Sequence, residues 1–326
     1  MQGGLARRVA LVEKNRAEGT PVLVVDSGDL FFTARTRVDP EKALAKARLI
    51  GRAYRRMAVA AVNVGDLDLL QGLDFLRQEA SQGLHLISAN LLDPSSKTPI
   101  FDPYVMQKVS GIKIAFFGLL SPNFQPEIAD PIQKRVGDHI FIKDPVQTAQ
   151  EMVLKLRDKV DMIVLLSDLG SHRDHELVKA VPGIHFVFGG HEGLGLAQPK
   201  REGKTYLFQS SAKGMYVGKL RLAIKNPGLP FQDEGGVSRL QEQIRNLDRH
   251  LQALQKQQAA QPSQDLAQRI QWINQQKAKL QEQLRQLSGA QSQENHFLWT
   301  LVSLNPSLRE DEETKGWIRE EGIDQD

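Results

Sequence analysis

The sequence contains no cysteine among its 326 residues, which excludes disulfide bonds, thiolate metal sites and cysteine nucleophiles. No apolar run approaches the roughly 20 residues that a membrane-spanning helix needs, so no membrane span is expected. The residues after Met1 lack the basic and apolar segments of a signal peptide. A net charge of only +3 gives no reason to expect nucleic acid as a partner. We therefore expect a soluble globular chain with one large domain and an additional element.

Short apolar runs alternate with amphipathic stretches through the first two thirds of the chain. The strand-like runs cover 21–26, 58–64, 84–88, 112–118, 162–167 and 184–188. The helix-like stretches cover 40–57, 73–79, 145–159 and 174–180. Asp144 and Pro145 fit the N-cap and the first position of the third helix. Short β-branched runs separated by helices indicate an α/β fold, in which a sheet is covered by helices.

Polar side chains follow the predicted strands where these end, at Asp26, Asp29, Asp66, Asp168 and His191. Ligands of open α/β sheets bind at that edge of the sheet. Carboxylates and an imidazole that converge there could bind a divalent metal ion. Taken singly, each signal also fits a helix N-cap or a turn. The carboxylates could instead form ion pairs with Arg7 or Arg8.

A glutamine-rich region follows Asn226 and begins with a linker at 227–230 and 235–236. Apolar residues then recur at 237, 240, 244, 247, 251 and 254. A second series covers 266, 270, 273, 280, 284 and 287, with Lys277 on its seam. Both series are heptad patterns, and Ser263 in the break between them fits an N-cap. We predict an antiparallel coiled-coil hairpin over 237–289; a disordered low-complexity segment is the alternative.

The chain becomes strand-like again after the predicted hairpin, at 297–304, and a short acidic helix follows. A strand that returns after a hairpin indicates an insertion, and 215–224 is its expected partner. The predicted organisation is therefore an α/β domain over 1–226, the hairpin over 237–289, and the returning strand with its helix over 296–326. The hairpin would recruit a protein partner, pair with a second copy of the chain, or act as a spacer.

Four short segments carry a resemblance to a known family. They are DSGD at 26–29, GDLD at 65–68, SDLG at 167–170 and GGHEG at 189–193. In this order they resemble the GD, GNHE, strand-ending His and GHxH motifs of the calcineurin-like metallophosphoesterases. The segments GGLARR at 3–8, GLDF at 72–75, SANL at 88–91 and SGIKI at 110–114 are similar to the 5′-nucleotidase branch. The resemblance spans residues 3–225 and implies a metallophosphoesterase-like β-sandwich flanked by helices, with the hairpin inserted before a final strand.

The resemblance also implies two metal ions bridged by one carboxylate, and Asp29 matches the bridging position. The first ion further takes the last position of GHxH and an Asp-x-His pair on a strand upstream of the GGLAR helix. Gly193 occupies that GHxH position and has no ligand atom. We therefore expect the first metal site and the first strand to be missing. Whether the chain is a fragment without its leader and first strand stays open.

The ligands of the second ion correspond to Asp29, Asp66, Asp168 and His191. The family places Asn and His at the second and third of these positions, yet all four side chains present here can bind a metal. Three carboxylates and one imidazole favour a single hard ion, Mg²⁺, Mn²⁺ or Ca²⁺, over Zn²⁺. The possible accessory residues are Asp26, Asp68 and His172.

Leu67 occupies the position of the GNH histidine, which in the family contacts the phosphoryl group. An alkyl side chain donates neither a proton nor a hydrogen bond, so the catalytic residues stay unknown. One hypothesis is a weak or degenerate metal-dependent phosphoesterase of the 5′-nucleotidase type, acting on nucleotides or other phosphate esters. The alternative is a non-catalytic relative that binds a metal or ligand and recruits a partner through the hairpin. The resemblance implies a periplasmic, extracytoplasmic location.

Overall fold

The computed structural model describes residues 4–33, 40–124, 126–191, 195–196, 198–210, 214–289 and 294–323, and only the backbone of 286–289. The predictions for Gly3, Gly193 and the Leu287 side chain fall outside the described residues. The chain divides into two compact units. The first comprises Met1–Gly218 with Leu301–Asp326, and the second comprises Lys219–Thr300.

The helices and strands of the described residues alternate along most of the first unit. The helices are α1 (Leu5–Ala17), α2 (Pro40–Arg56), α3 (Leu73–Ser81), α4 (Pro126–Val136), α5 (Pro145–Leu156), α6 (Ser171–Ala180), α7 (Glu234–Ala260), α8 (Gln264–Gly289) and α9 (Glu312–Glu320). The strands are β1 (Val25–Asp26), β2 (Ala61–Asn63), β3 (Leu86–Ile87), β4 (Leu91–Leu92), β5 (Tyr104–Val109), β6 (Ile112–Leu120), β7 (Phe141–Ile142), β8 (Met162–Asp168), β9 (Phe186–Gly189), β10 (Lys200–Glu202), β11 (Thr205–Gln209), β12 (Tyr216–Ala223), β13 (Phe231–Asp233) and β14 (Asn295–Ser303). Short 3-10 turns cover Leu67–Gln71 and Gly137–His139.

Parallel strands form the centre of the first unit. β1, β2 and β3 make a three-stranded parallel sheet in that order. A six-stranded sheet has the order β10-β11-β9-β8-β6-β5, in which the four inner strands are parallel and the two outer ones antiparallel to their neighbours. β4 and β7 pair separately. Because the inner strands of each sheet are parallel, their carboxyl ends share one edge.

The two sheets pack face to face, with β2 against β6 and β8. β8 is buried along its whole length, because it lies between β6 and β9 and has side chains packed on both faces. Parallel strands covered on both faces have continuous apolar sequences, and the run at 162–166 has this form. Helices α5 and α6 add Leu156 and Leu177 to the core beside the six-stranded sheet. The predicted α/β sandwich flanked by helices is confirmed.

Some elements differ from the sequence prediction. The predicted N-cap at Asp144 is present, since its carboxylate accepts from the Gln147 backbone N–H at 2.7 Å. Helix α4 is not predicted by the sequence pattern, because Pro131 lies in its interior and proline there ordinarily interrupts a helix. The predicted strand at 21–26 is wrong for its first residues, because β1 pairs with β2 only at Val25 and Asp26.

Helix α9 packs against α1 and α2 within the first unit. The Asp311 carboxylate caps it, accepting from the Thr314 N–H at 2.8 Å, and also lies 2.9 Å from the Arg56 guanidinium. The Trp317 ring is buried beneath the Arg52 guanidinium, whose central carbon lies 3.7 Å from the ring centroid. A cap, an ion pair and a cation–π contact therefore join the C-terminal helix to the N-terminal part of the chain.

The second unit contains helices α7 and α8 and most of the three-stranded sheet β12-β14-β13. Helix α7 begins before the predicted position 237, inside the predicted linker. Its start at Glu234 follows from the Asp233 carboxylate, which accepts from the Gly235 N–H at 3.0 Å and caps the helix. β14 lies next to β12, the neighbour expected from the sequence. No helix in the described part of the chain is long and apolar enough to cross a membrane.

Helices α7 and α8 pack through an apolar seam of Leu254, Leu266 and Ile273, with other leucine and isoleucine side chains partly buried around them. Lys277 on this seam lies with Nζ 2.5 Å from Asp248 Oδ1. Its charged group therefore has a carboxylate partner on the facing helix as well as access to water. The assignment of 237–289 as a separate coiled-coil domain stays a prediction.

We expect Ile273→Ala to open the hairpin, because removing a buried isoleucine side chain costs about 2–5 kcal/mol. Backbone amide exchange in α7 and α8 should accelerate. The neighbouring Trp272 is 60% exposed, so Trp272→Ala is the control and should leave the exchange rates almost unchanged. Equal effects of the two substitutions would contradict the seam.

Candidate metal centre

Four ligand-type side chains converge in the first unit: Asp29, Asp66, Asp168 and His191. One ligand atom from each lies within 4.8 Å of the others. Asp29 and Asp66 follow β1 and β2 of the three-stranded sheet, Asp168 ends β8, and His191 follows β9 of the six-stranded sheet. The cluster therefore lies where the carboxyl ends of strands from both sheets meet. These are the four residues that the sequence analysis proposed as ligands of the second metal ion.

Two glycines allow the loops after β1 and β2 to touch. A Cβ added to Gly65 would overlap Oδ1 and the backbone nitrogen of Asp29. A Cβ on Gly28 would lie 2.9 Å from the Gly65 nitrogen, and Gly28 also has a φ of +114°. Asp29 itself has a φ of 57°, in the left-handed region that non-glycine residues seldom adopt. This close contact directs the Asp29 carboxylate toward the Leu67 N–H, which donates to its Oδ1 at 3.0 Å.

The Asp68 carboxylate holds the same two loops together. It accepts hydrogen bonds from the backbone N–H groups of Asp29 at 3.0 Å, Phe31 at 2.9 Å and Gly65 at 3.0 Å. Burial raises the pKa of Asp68 to about 7, although these three hydrogen bonds act in the opposite direction. Asp68 was predicted as an accessory ligand, but the structure makes it the group that fixes the backbone beside Asp29.

Hydrogen bonds across the two sheets fix the other half of the cluster. The Asp66 N–H donates to Asp168 Oδ2 at 2.9 Å. The buried Asn63 amide donates to the carbonyls of Ser27 and Leu119, at 3.0 Å in each case. These bonds set the spacing between the ends of β2 and β8, and hence between Asp66 and Asp168.

The Asp66 carboxylate is fully buried, and neither of its oxygens has a hydrogen-bond partner within the described residues. Its position at the start of a 3-10 turn would suit an N-cap, but the side chain makes no capping hydrogen bond. Burial raises its pKa, partly offset by the charge of His191. Burial and the neighbouring carboxylates also raise the pKa values of Asp29 and Asp168 well above the ordinary range. Three such groups need a positive charge between them to stay ionised at neutral pH.

His191 supplies a nitrogen atom to this group of carboxylates. Its Nδ1 lies 3.2 Å from Asp168 Oδ1 and 4.0 Å from Asp66 Oδ2. The His191 side chain is 14% exposed, whereas those of Asp66 and Asp168 are 0% and 1% exposed. His191 is therefore more accessible to solvent than either of these carboxylates. Carboxylate oxygens with one imidazole nitrogen are a donor set for a divalent cation. The unpartnered oxygens of Asp66 show that the residues present fit such an ion.

The other accessory predictions are not part of this cluster. Asp26 accepts from the Tyr54 hydroxyl at 2.7 Å and from the Gly28 N–H at 3.1 Å. His172 is 81% exposed on α6, with Nε2 3.5 Å from a Glu176 oxygen. Both residues are therefore engaged elsewhere, and the clustered set among the described residues consists of the four ligands alone.

The alternative ion pairs with Arg7 and Arg8 do not form at these carboxylates. Arg7 lies 2.8 Å from Glu310, and Arg8 donates to the Tyr54 hydroxyl at 2.5 Å. The structure also reveals a positioning role for Asn63 that the sequence analysis missed. A polar residue inside the apolar run at 58–64 was the available signal, because buried amides there must find partners.

Comparison with known proteins finds relatives that are similar in sequence and solved structures that are similar in fold. The chain is 26% identical over 259 residues to a 5′-nucleotidase of Vibrio cholerae, covering 68% of the chain and 45% of that relative. The 5′-nucleotidase precursor of Thermus thermophilus superposes with a TM-score of 0.65 at 19% identity, over 98% of this chain and 53% of the other. The calcineurin-like phosphoesterase YfkN of Bacillus subtilis gives 0.64 at 15% identity, over 100% of this chain and 90% of the other.

The sequence similarity supports a relation to the 5′-nucleotidases, and the fold is that of the calcineurin-like phosphoesterases. No protein-family model matches the chain. The chain spans about half the length of the curated 5′-nucleotidase that it resembles. This similarity agrees with the motif order found in the sequence, and the structure brings one ligand side chain of each of the four motifs within 4.8 Å of the others.

We expect Gly65→Ala to destabilise the first unit by about 1–3 kcal/mol, because the new methyl group must displace the Asp29 backbone. Urea denaturation measures the loss. Gly316→Ala in α9 is the matched control, since a Cβ there meets nothing within 4 Å and alanine favours a helix. If Gly65→Ala were as neutral as the control, the tight contact between the two loops would be wrong.

Proposed function

We propose that this chain is the metal-binding domain of a phosphoesterase of the nucleotidase type, with weak hydrolysis of nucleotides or other phosphomonoesters. The observation that carries the proposal is the Asp66 carboxylate, buried and without a hydrogen-bond partner among the described residues. Asp29, Asp168 and His191 surround it within 4.8 Å. Similarity to proteins named 5′-nucleotidase supports the reaction class.

The donor set favours a hard divalent ion. Asp29, Asp66, Asp168 and His191 would hold it, and three carboxylates with one imidazole suit Mg²⁺, Mn²⁺ or Ca²⁺ better than Zn²⁺. When bound, the ion would supply Lewis-acid stabilisation of negative charge on a phosphoryl group. The protein fixes the ligands before the ion arrives, through Asp68 on one loop and Asn63 between the sheets.

Weak rather than full activity is proposed because of Leu67. Its backbone N–H helps orient Asp29, while its half-buried alkyl side chain packs at the edge of the core. General acid catalysis requires a group that can give a proton to the leaving oxygen, and this side chain has none. His191 is the imidazole present at the centre, and its Nδ1 faces Asp168.

A non-catalytic relative is the second candidate function, and the same leucine favours it. In this case the centre would bind a metal ion without turnover, and the hairpin of α7 and α8 would recruit a protein partner or a second copy of the chain. Trp272, exposed on α8, is a side chain that such a partner would cover. A periplasmic location is proposed on similarity to the 5′-nucleotidases alone.

Metal binding predicts opposite effects of one substitution with and without the ion. In EDTA, Asp66→Leu should raise the melting temperature, because it replaces an unpartnered buried carboxylate by an apolar side chain of the same branched shape. At saturating Mn²⁺ or Mg²⁺ the unmodified protein should gain about 2–4 kcal/mol of stability, and the variant should gain little. Asp158→Leu, at an exposed position, is the control. A variant that keeps the metal-induced gain would refute the ligand role of Asp66.

Activity should be low and should depend on position 67. We expect hydrolysis of p-nitrophenyl phosphate or AMP far below the roughly 10 per second typical of enzymes. Leu67→His should raise it by at least about tenfold, because a positioned general acid contributes on the order of 10² or more. Leu154→His, on the exposed face of α5, controls for an added imidazole. Ordinary turnover by the unmodified chain would show that other residues have replaced the missing histidine.

A further inference from the structure

Arg173, in the first turn of α6, carries a guanidinium group held by neutral partners. Its Nη1 donates to the Ser121 hydroxyl at 2.8 Å. The Asn123 amide group lies against the same guanidinium, and the orientation that satisfies both groups turns its oxygen inward to accept from the two terminal nitrogens, at 2.5 and 3.3 Å. Ser121 is itself buried and bonded to the backbone of Asn123. The guanidinium is therefore fixed in place without any neutralisation of its charge.

The strand register places Arg173 beside the metal centre. Leu120, the last residue of β6, pairs with Asp168, the last residue of β8. Ser121, which holds Arg173, comes directly after Leu120. Arg173 lies one short loop beyond Asp168, at the start of the helix that follows β8. The guanidinium thus lies at the strand edge where the four ligands converge.

The charge of Arg173 lacks an acidic partner in the described part of the chain. Within the residues that the structure describes, no carboxylate lies within ion-pair distance of its guanidinium. Three arginines of the same unit differ from it: Arg7, Arg55 and Arg56 lie 2.8, 2.5 and 2.9 Å from Glu310, Glu79 and Asp311 respectively. Arg16 resembles Arg173, since it donates to the Met57 carbonyl, but it lies in α1 and not at the ends of the strands. An immobilised, half-buried guanidinium without a carboxylate can accept an anion at little cost in side-chain ordering.

The centre needs such a charge if it is to hold an anionic substrate. Its three carboxylates carry −3 when ionised, so a divalent cation still leaves it at −1. The remaining charge of −1 would repel a phosphate monoester dianion unless another cationic group lay next to the phosphate. Guanidinium groups bind phosphoryl oxygens through paired N–H donors, which suits this role.

We propose that Arg173 binds the phosphoryl oxygens of the substrate next to the metal centre, and so determines that the substrate is anionic. The proposal rests on the proposed function, because it assigns the substrate contact of the same centre. Ser121 and Asn123 orient the guanidinium, and its remaining N–H groups would contact the phosphoryl oxygens. Arg173 is a binding residue in this arrangement and transfers no proton.

Calorimetric titration with inorganic phosphate tests the assignment in protein loaded with Mg²⁺. Arg173→Gln should weaken phosphate binding by about tenfold or more, since hydrogen bonds between charged groups are stronger than neutral ones. Arg173→Lys should keep part of the affinity. Lys179→Gln, at an exposed position near the end of the same helix, removes the same charge and should leave affinity unchanged. Ser121→Ala should have a smaller effect than Arg173→Gln.

Separate titration with Mg²⁺ distinguishes this proposal from the metal centre itself. Normal Mg²⁺ binding by Arg173→Gln together with lost phosphate binding supports both. Normal Mg²⁺ binding with unchanged phosphate affinity in Arg173→Gln overturns the role of Arg173 and leaves the metal centre intact. An equal loss in Ser121→Ala and Arg173→Gln means that Arg173 only anchors the loop, and the proposal is wrong. If Mg²⁺ does not bind, the proposed metal centre is wrong. Phosphate is then titrated into the metal-free proteins, and weaker binding by Arg173→Gln than by Lys179→Gln supports the role of Arg173, whereas equal binding overturns it.

Discussion

The Asp68 carboxylate accepts hydrogen bonds from three backbone N–H groups on two different loops, and the geometry of the metal centre depends on it. Asp29 has an unfavourable left-handed backbone that persists only because this carboxylate and the contact with Gly65 hold it. Its side chain then points into the group formed with Asp66 and Asp168. Removing the Asp68 carboxylate would release Asp29 from its position, although Asp68 is not one of the four clustered ligands.

Charge is the second constraint, and it acts against the fold. Burial raises the pKa of Asp29, Asp66 and Asp168, and neighbouring carboxylates raise those of Asp29 and Asp168 further, which means that the folded chain resists their ionisation. A core of apolar residues at these positions would be more stable. Such a cost is typical of functional sites, where the arrangement is kept for binding rather than for stability. The uncompensated guanidinium of Arg173 at the same edge is a second departure of this kind.

Short apolar runs such as 162–166, alternating with helical stretches, predicted a sheet covered by helices, and the family resemblance implied that it would be a sandwich. Strand-end positions indicated five candidate side chains, and the family resemblance selected the four that converge. The sequence could not show that the Asp68 carboxylate accepts hydrogen bonds from backbone N–H groups. Asp66 and Asp68 are two residues apart and of the same type, and no sequence pattern separates a metal ligand from a group that fixes the backbone. Helix α4 was hidden by Pro131, and the pairing of Arg173 with Ser121 depends on the register of β6 and β8, which sequence alone leaves undetermined.

The hydrogen bond between Asp66 and Asp168 joins residues 102 positions apart in the chain. Closing a loop of that length is slow and costly in entropy, so the centre is completed only after both sheets have formed. An ion that requires all four ligands therefore recognises the finished fold and cannot guide its early assembly. Its effect on kinetics would fall on the unfolding rate, which means that metal would prolong the lifetime of the native state without accelerating the search for it.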